Sequence, residues 1–195
     1  MKIGICGGTF DPFHRGHLDP IVAVRERMRW DRVLYIPAYI QPFKQDRHTV
    51  SGYHRYAMTV LGIEDHPDFR ASPQELERGA VSYTVDTLRE LRGQYPGATF
   101  DWIIGDDNLE KLDEWKSIET IVKLASFTVL TRDATGIRPP EIAGLNIVFA
   151  ENAIVPVSST AVRRRLRARE PIDDLVPPRV WRYIQQYELY RKGPS

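Results

Sequence analysis

Short apolar runs alternate along this chain with segments whose apolar positions recur at helical spacing. Ile3 to Cys6 reads as a first strand, and the spacing of Ile21, Val22, Val24 and Met28 predicts an amphipathic helix after it. Val33 to Ile36 reads as a second strand, ended by Pro37, and Tyr53 to Ile63 as a helix. Val85, Leu88 and Leu91 form a helical stripe closed by Pro96-Gly97. Phe100 to Ile104 is a buried strand ended by Gly105, Ile118 to Leu124 a short helix, and Phe127 to Leu130 and Ile147 to Phe149 two more strands. Ser158 to Arg167 and Pro178 to Tyr187 read as the last helices, with Pro178 suited to a first turn. Strands alternating with helices predict an α/β, Rossmann-like fold with a mostly parallel sheet covered on both faces. Ligands of such folds bind beyond the carboxyl ends of the strands.

The chain has 195 residues, enough for one domain with a proper core. No stretch in it suggests a domain boundary, so residues 1–195 read as one unit with a small C-terminal helical part from about residue 158. A net charge of +1 gives no global argument for nucleic acid or membrane partners. No apolar run approaches the roughly 20 residues that span a bilayer, and Met1-Lys2 leads straight into the first strand rather than into a signal peptide. Cys6 is the single cysteine, so neither an internal disulfide nor a cysteine-based zinc site can form. That accords with a cytoplasmic protein. In a predicted strand, Cys6 is expected to be a small buried hydrophobe. Oligomeric state is not legible.

Chemistry concentrates in two strings. Gly7-Gly8-Thr9-Phe10-Asp11-Pro12-Phe13-His14-Arg15-Gly16-His17 occupies the first strand-to-helix turn. Free N–H groups and the helix dipole favour a phosphate there, glycine lets the backbone come close, and two imidazoles add donors. Near the other end, Ser158-Ser159-Thr160-Ala161-Val162-Arg163 opens a helix, with Ser158 or Ser159 as a natural N-cap. Arg163 lies one turn in, on the side of Ser159 and Thr160. A phosphate at that helix start would find hydroxyls, amides and a guanidinium. The neighbouring Arg164, Arg165, Arg167 and Arg169 read more simply as a solvated basic face, since no RNA-binding module accompanies them.

The first string resembles the His-x-Gly-His signature of the nucleotidyltransferase superfamily of α/β-phosphodiesterase type, and the second its Ser-Ser-Thr-x-x-Arg element. The middle of the chain narrows the resemblance. Ser82-Tyr83-Thr84-Val85-Asp86-Thr87-Leu88, Gly105-Asp106-Asp107 followed by Trp115, and the pair Arg55 and Met58 resemble elements of the bacterial nicotinate mononucleotide adenylyltransferases of the NadD type. The resemblance covers Lys2 to about Arg167. It implies adenylyl transfer from ATP to nicotinate mononucleotide, with Mg²⁺ clamping the polyphosphate. It implies His14, His17, Lys44 and Arg163 as catalytic residues. Gly7, Gly8, Thr9, Phe10, Ile104, Gly105, Asp107, Ser158, Ser159 and Thr160 would hold ATP, and Asp11, Ser82, Tyr83, Thr84 and Trp115 the mononucleotide. The family's Gly-x-Asp form maps its aspartate to Asp107 rather than Asp106.

On spacing alone, Ser82 and Thr84 could as well cap the following helix, and Trp115 could be core. One departure stands out: Pro42-Phe43-Lys44 carries phenylalanine where the family has histidine. Lys44 still offers a point charge to a phosphate, and His48 or His54 could stand in for the missing imidazole. Rival readings are a transferase for nicotinamide mononucleotide or phosphopantetheine, and a nucleotide sensor on the same fold. A dinucleotide-dependent dehydrogenase is weaker, because Gly4-Ile5-Cys6-Gly7-Gly8 does not meet the Gly-x-Gly-x-x-Gly fingerprint.

Overall fold

A computed structural model describes residues 1–42, 49–152 and 155–191. Six strands form one parallel sheet: β1 (Lys2–Gly8), β2 (Arg32–Pro37), β3 (Phe69–Ala71), β4 (Thr99–Gly105), β5 (Ser126–Thr131) and β6 (Ile147–Glu151), in the spatial order β3-β2-β1-β4-β5-β6. The helices are α1 (Arg15–Met28), α2 (Gly52–Ile63), α3 (Gln74–Arg78), α4 (Thr84–Gln94), α5 (Ile118–Leu124), α6 (Ser159–Arg167) and α7 (Pro178–Gln186), with a 3-10 segment at Asp106–Glu114. The order reverses between β1 and β4, which pair from Lys2↔Thr99 to Ile5↔Trp102. Past that pair the connections diverge and leave a crevice.

The central strands are apolar on both sides because both sides are covered. Ile3 and Ile5 join Leu34, Ile36, Phe100, Phe127 and Val129 in a cluster with Val85, Leu88 and Leu91 of α4 and Ile121 of α5. On the other face Val33, Tyr35 and Ile103 pack with Ile21 and Val24 of α1, Met58 of α2, Val162 and Leu166 of α6, and Val180 and Ile184 of α7. The last helices thus share the core of α1 and α2. At the amino end of the β1–β4 pair, buried Asp101 takes the Trp30 Nε1–H at 2.7 Å and the Lys2 ammonium at 2.7 Å.

Several expectations are refined. The apolar stripe of α1 is Ile21, Val24 and Met28; Val22 is exposed. Cys6 is half-buried and lines the crevice rather than lying wholly in the core. Its thiol is nonetheless pushed up to about 12 by desolvation. Ser158, not Ser159, caps α6, accepting from the Ala161 N–H at 3.1 Å. Neither Ser82 nor Thr84 caps α4; Tyr83 holds the N-cap position without a side-chain bond. Two short elements, β3 and α3, and the 3-10 segment carry too few periodic positions to be read from the sequence. Among the described residues, no helix is long and apolar enough to cross a membrane.

Candidate active site

A cleft of about 920 Å³ opens beyond the carboxyl ends of β1 and β4. Gly7, Gly8, Thr9, Phe10 and Asp11 form one wall with His14 and His17. Ile104, Gly105 and Asp107 follow β4, Ser158, Ser159, Thr160 and Arg163 come from the start of α6, and Ser82, Tyr83, Thr84 and Trp115 lie at a further edge. Four segments far apart in the chain therefore meet. Of the residues expected at the site, Lys44 lies outside the described residues, as do Phe43 and His48. His54 is on α2, its Nδ1 2.9 Å from the Tyr183 hydroxyl.

The histidine pair is built by the start of α1. His14 is its N-cap residue in extended conformation, and its backbone N–H donates to Nδ1 of His17 at 3.2 Å. A nitrogen that accepts is unprotonated, so neutral His17 carries its proton on Nε2. The two rings stack at 3.6 Å, and Phe10 meets His17 edge-on at 4.9 Å. Gly16 is needed between them, because a Cβ there would lie 2.9 Å from Val157 Cγ1 and 3.1 Å from His14 Cε1.

His14 is 4% exposed, its Nδ1 is buried with no hydrogen-bond partner among the described residues, and burial lowers its pKa from 6.5 to about 4. The imidazole is neutral at pH 7. The unfolded chain binds a proton near 6.5 that the folded chain refuses until about 4, so His14 favours folding fully above 6.5 and loses that contribution as pH falls toward 4. The whole effect is about 3 kcal/mol. Melting temperature followed from pH 7 to pH 4 is expected to fall more steeply in the parent chain than in His14→Gln. Parallel slopes would show that His14 does not set the acid limb.

The loop before α1 is held from three directions. Ser159 Oγ donates to the Pro12 carbonyl at 3.1 Å, and Arg163 Nη1 donates to the Asp11 carbonyl at 2.5 Å. Arg163 Nη2 reaches Thr160 Oγ1 at 3.3 Å, which confirms that the two share a face of α6. From below, buried Arg55 donates to the carbonyls of Thr9 at 2.7 Å and Val50 at 3.2 Å and reaches Tyr39 O at 3.5 Å. Desolvation lowers the Arg55 pKa, and the charge of Asp11 opposes the shift. The Asp11 carboxylate accepts from the Tyr190 hydroxyl at 2.7 Å and the Val50 N–H at 3.4 Å, and lies 3.6 Å from Arg163 Nη1. Tyr190 was not legible in the sequence, since only tertiary contact reveals it.

After β4 the two aspartates separate by role. Asp106 accepts from Thr131 Oγ1 at 2.8 Å and so fastens the turn to β5, while Asp107 is exposed toward the cleft with one oxygen on Asn108 Nδ2 at 2.8 Å. Gly105 permits this, as a Cβ there would lie 2.6 Å from Asp107 Oδ1. At the far edge Ser82 Oγ accepts from the Tyr39 N–H at 2.9 Å. Buried Glu75 accepts from Thr87 Oγ1 at 2.5 Å; burial raises its pKa, opposed by its hydrogen bonds to Thr87 and Ser82. Half-buried Trp115 stands edge-on to Trp102, with ring centroids 6.5 Å apart. Lys116 Nζ sits 4.0 Å over the Tyr83 ring.

A ligand in this cleft would meet N–H donors and a guanidinium at one end and aromatic edges at the other. Those are the partners a nucleoside triphosphate and a second ring-bearing substrate require, and by fold and site the chain is of the nucleotidyltransferase class. The cytidylyltransferase-like family description matches residues 5–165. The nicotinate-nucleotide adenylyltransferase of Bacillus subtilis is 35% identical over 189 residues, 97% of this chain and 98% of that one. A protein of Oceanobacillus iheyensis named "probable nicotinate-nucleotide adenylyltransferase" is 38% identical over 192 residues, 98% of each. In fold, the Plasmodium falciparum nicotinic acid mononucleotide adenylyltransferase solved with NaAD superposes with a TM-score of 0.78 at 20% identity, covering 98% of both chains. The chain belongs to the cytidylyltransferase-like family, among its nicotinate-nucleotide adenylyltransferases.

Proposed function

We propose that this chain transfers the adenylyl group of ATP to nicotinate mononucleotide, giving nicotinate adenine dinucleotide and pyrophosphate for NAD biosynthesis. The observation that carries the reading is the meeting of the stacked histidine pair with the Ser159–Arg163 face of α6 across one cleft. A phosphate oxygen of the mononucleotide attacks the α-phosphorus of ATP. The bond to the bridging oxygen of the β-phosphate breaks, and pyrophosphate leaves. The nucleophile is already ionised near neutral pH, so the protein needs no base of its own. It acts by alignment and by stabilising charge on the oxygens around the α-phosphorus and on the leaving group.

On this reading His14 and His17 meet the phosphates, with His17 Nε2–H the principal donor. Arg163, Thr160 and the first-turn amides of α6 grip the leaving pyrophosphate, together with Lys44. Those amides lack intrahelical carbonyl partners by the geometry of any helix start. The Ser159 hydroxyl proton goes to Pro12 O, so Ser159 contributes through its amide. Gly7 to Phe10 line the nucleotide path, Ile104 and Gly105 face the adenosine, and Asp107 accepts from the ribose hydroxyls. Thr84 and Trp115 face the nicotinate ring, with Ser82, Tyr83 and Asp11 shaping that end. The first-turn amides of α4 offer donors suited to a ring carboxylate, while the Lys116 ammonium is shared with Asp86 at 3.5 Å.

Mg²⁺ fits this reading as a partner of ATP. Among the described residues no group of three or more His, Cys, Asp or Glu side chains is placed to hold a metal. The ion would therefore ride on the polyphosphate and neutralise part of its charge. Residues 1–195 act as one nucleotidyltransferase domain on this reading, and the lone cysteine accords with a cytoplasmic setting.

Asp107→Ala is expected to raise the Michaelis constant for ATP about tenfold, the loss of one or two hydrogen bonds, with little change in melting temperature because the side chain is exposed. An unchanged constant would remove Asp107 from the ribose. The reaction itself is tested by chromatography of products formed from ATP, Mg²⁺ and either nicotinate or nicotinamide mononucleotide. Dinucleotide mainly from the acid supports the reading. Preference for the amide overturns the substrate assignment, and no product from either overturns the chemistry.

A further inference from the structure

The last described turn of the chain reaches the site. Tyr190 follows α7, is 9% exposed, and places its hydroxyl 2.7 Å from Asp11 Oδ1, a contact across 179 residues of sequence. The backbone bends sharply to deliver it: Glu188 and Tyr190 both adopt left-handed conformations, with φ of 50° and 67°. Non-glycine residues hold that region only when their surroundings compensate for it.

Asp11 is a buried carboxylate between two guanidiniums, Arg55 and Arg163. Oδ1 is occupied by the Tyr190 hydroxyl and the Val50 N–H. Only Oδ2 faces Arg163, and it lies 3.6 Å from Nη1, well beyond the 2.7–2.9 Å of a charge-assisted hydrogen bond. The guanidinium is instead anchored on the Asp11 carbonyl and on Thr160 Oγ1, both at the mouth of the cleft. A buried carboxylate deprived of a donor must find another. Among the described residues, Arg163 is the cation within 4 Å of the Asp11 carboxylate.

We propose that Tyr190 is a positioning residue: by satisfying Asp11, its hydroxyl keeps Arg163 from closing into a full ion pair and leaves the guanidinium turned toward the triphosphate. The turn at residues 187–191 on this account acts on the ATP site from outside its lining. The role given to Arg163 rests on the adenylyl-transfer reading, so the test scores ATP binding apart from product formation.

Tyr190→Phe removes one oxygen and keeps the ring. Calorimetric titration with MgATP is expected to show five- to tenfold weaker binding. In an Arg163→Ala background the same change should alter ATP binding less than twofold, because its effect passes through Arg163. A packing role would give equal losses in both backgrounds, and that result, or unaltered binding in Tyr190→Phe, overturns the proposal. Should Tyr190→Phe not fold, Asp11→Asn tests the same competition from the other side. With the charge removed, ATP should bind as tightly as to the parent or more tightly, and binding weakened more than threefold overturns the proposal. A parent chain that binds MgATP with this dependence on Tyr190 yet forms no dinucleotide would sink the adenylyl-transfer reading and leave the positioning role standing.

Discussion

His17→Ala is expected to lower kcat at least about a hundredfold, the scale for losing one donor to a developing oxyanion, while the protein stays folded. The expectation follows from how little freedom the ring has. Nδ1 is fixed by the His14 N–H, so the Nε2–H points away from the helix start. Phe10, Phe13 and His14 press on the ring from three sides, with centroids at 4.9, 5.5 and 3.6 Å. A donor held this way reorganises little as charge builds on the α-phosphate. The Michaelis constants should move far less than kcat, because the interaction strengthens toward the transition state. The loss to the fold is smaller, since one N–H at a helix start loses its acceptor, about 1 kcal/mol. Turnover near the parent value in a folded variant would show that His17 only shapes the turn.

Arg55→Ala should be the most damaging single change to stability. The side chain is 2% exposed and donates to backbone carbonyls from three separate segments, at Thr9, Tyr39 and Val50. Its removal takes away the donor of each of those bonds and a positive charge that acts on Asp11. Breaking a buried charged contact of this kind costs about 3–5 kcal/mol. For a chain of this size that lowers the melting temperature by about 6–20 °C. Arg55→Lys should recover only part of the loss, as an ammonium cannot serve the planar fork. Thermal unfolding of the two variants tests both statements. A melting temperature for Arg55→Ala within about 3 °C of the parent would mean that the three segments are held by other contacts.

Most of the sheet was legible because parallel strands buried on both faces leave unbroken apolar runs, as from Val33 to Ile36. The histidine and serine–arginine strings were legible because helix starts in such folds carry chemistry in short contiguous stretches. Residues that act across the sheet were less so. Arg55 was picked out with Met58 by resemblance, but no spacing could place its guanidinium beneath Thr9. Tyr190 resembles any tyrosine near a chain end. Strand β3 has three residues, too few for a period, and it is fixed by pairing with Val33, Leu34 and Tyr35 of β2. The two adjacent aspartates were told apart by resemblance alone; both line the cleft, Asp106 accepting from Thr131 and Asp107 from Asn108.

The bonds from Ser159 and Arg163 to the carbonyls of Pro12 and Asp11 tie residues about 150 positions apart. Such contacts close late, because the entropy of a large loop must be met before they contribute. During synthesis the histidine string emerges first, yet its partners in α6 and at Tyr190 follow 147 to 179 residues later. Nascent fragments ending before α6 should therefore bind ATP poorly even with both histidines present. A ligand that recognises the closed arrangement would stabilise chains that have reached α6 over those that have not.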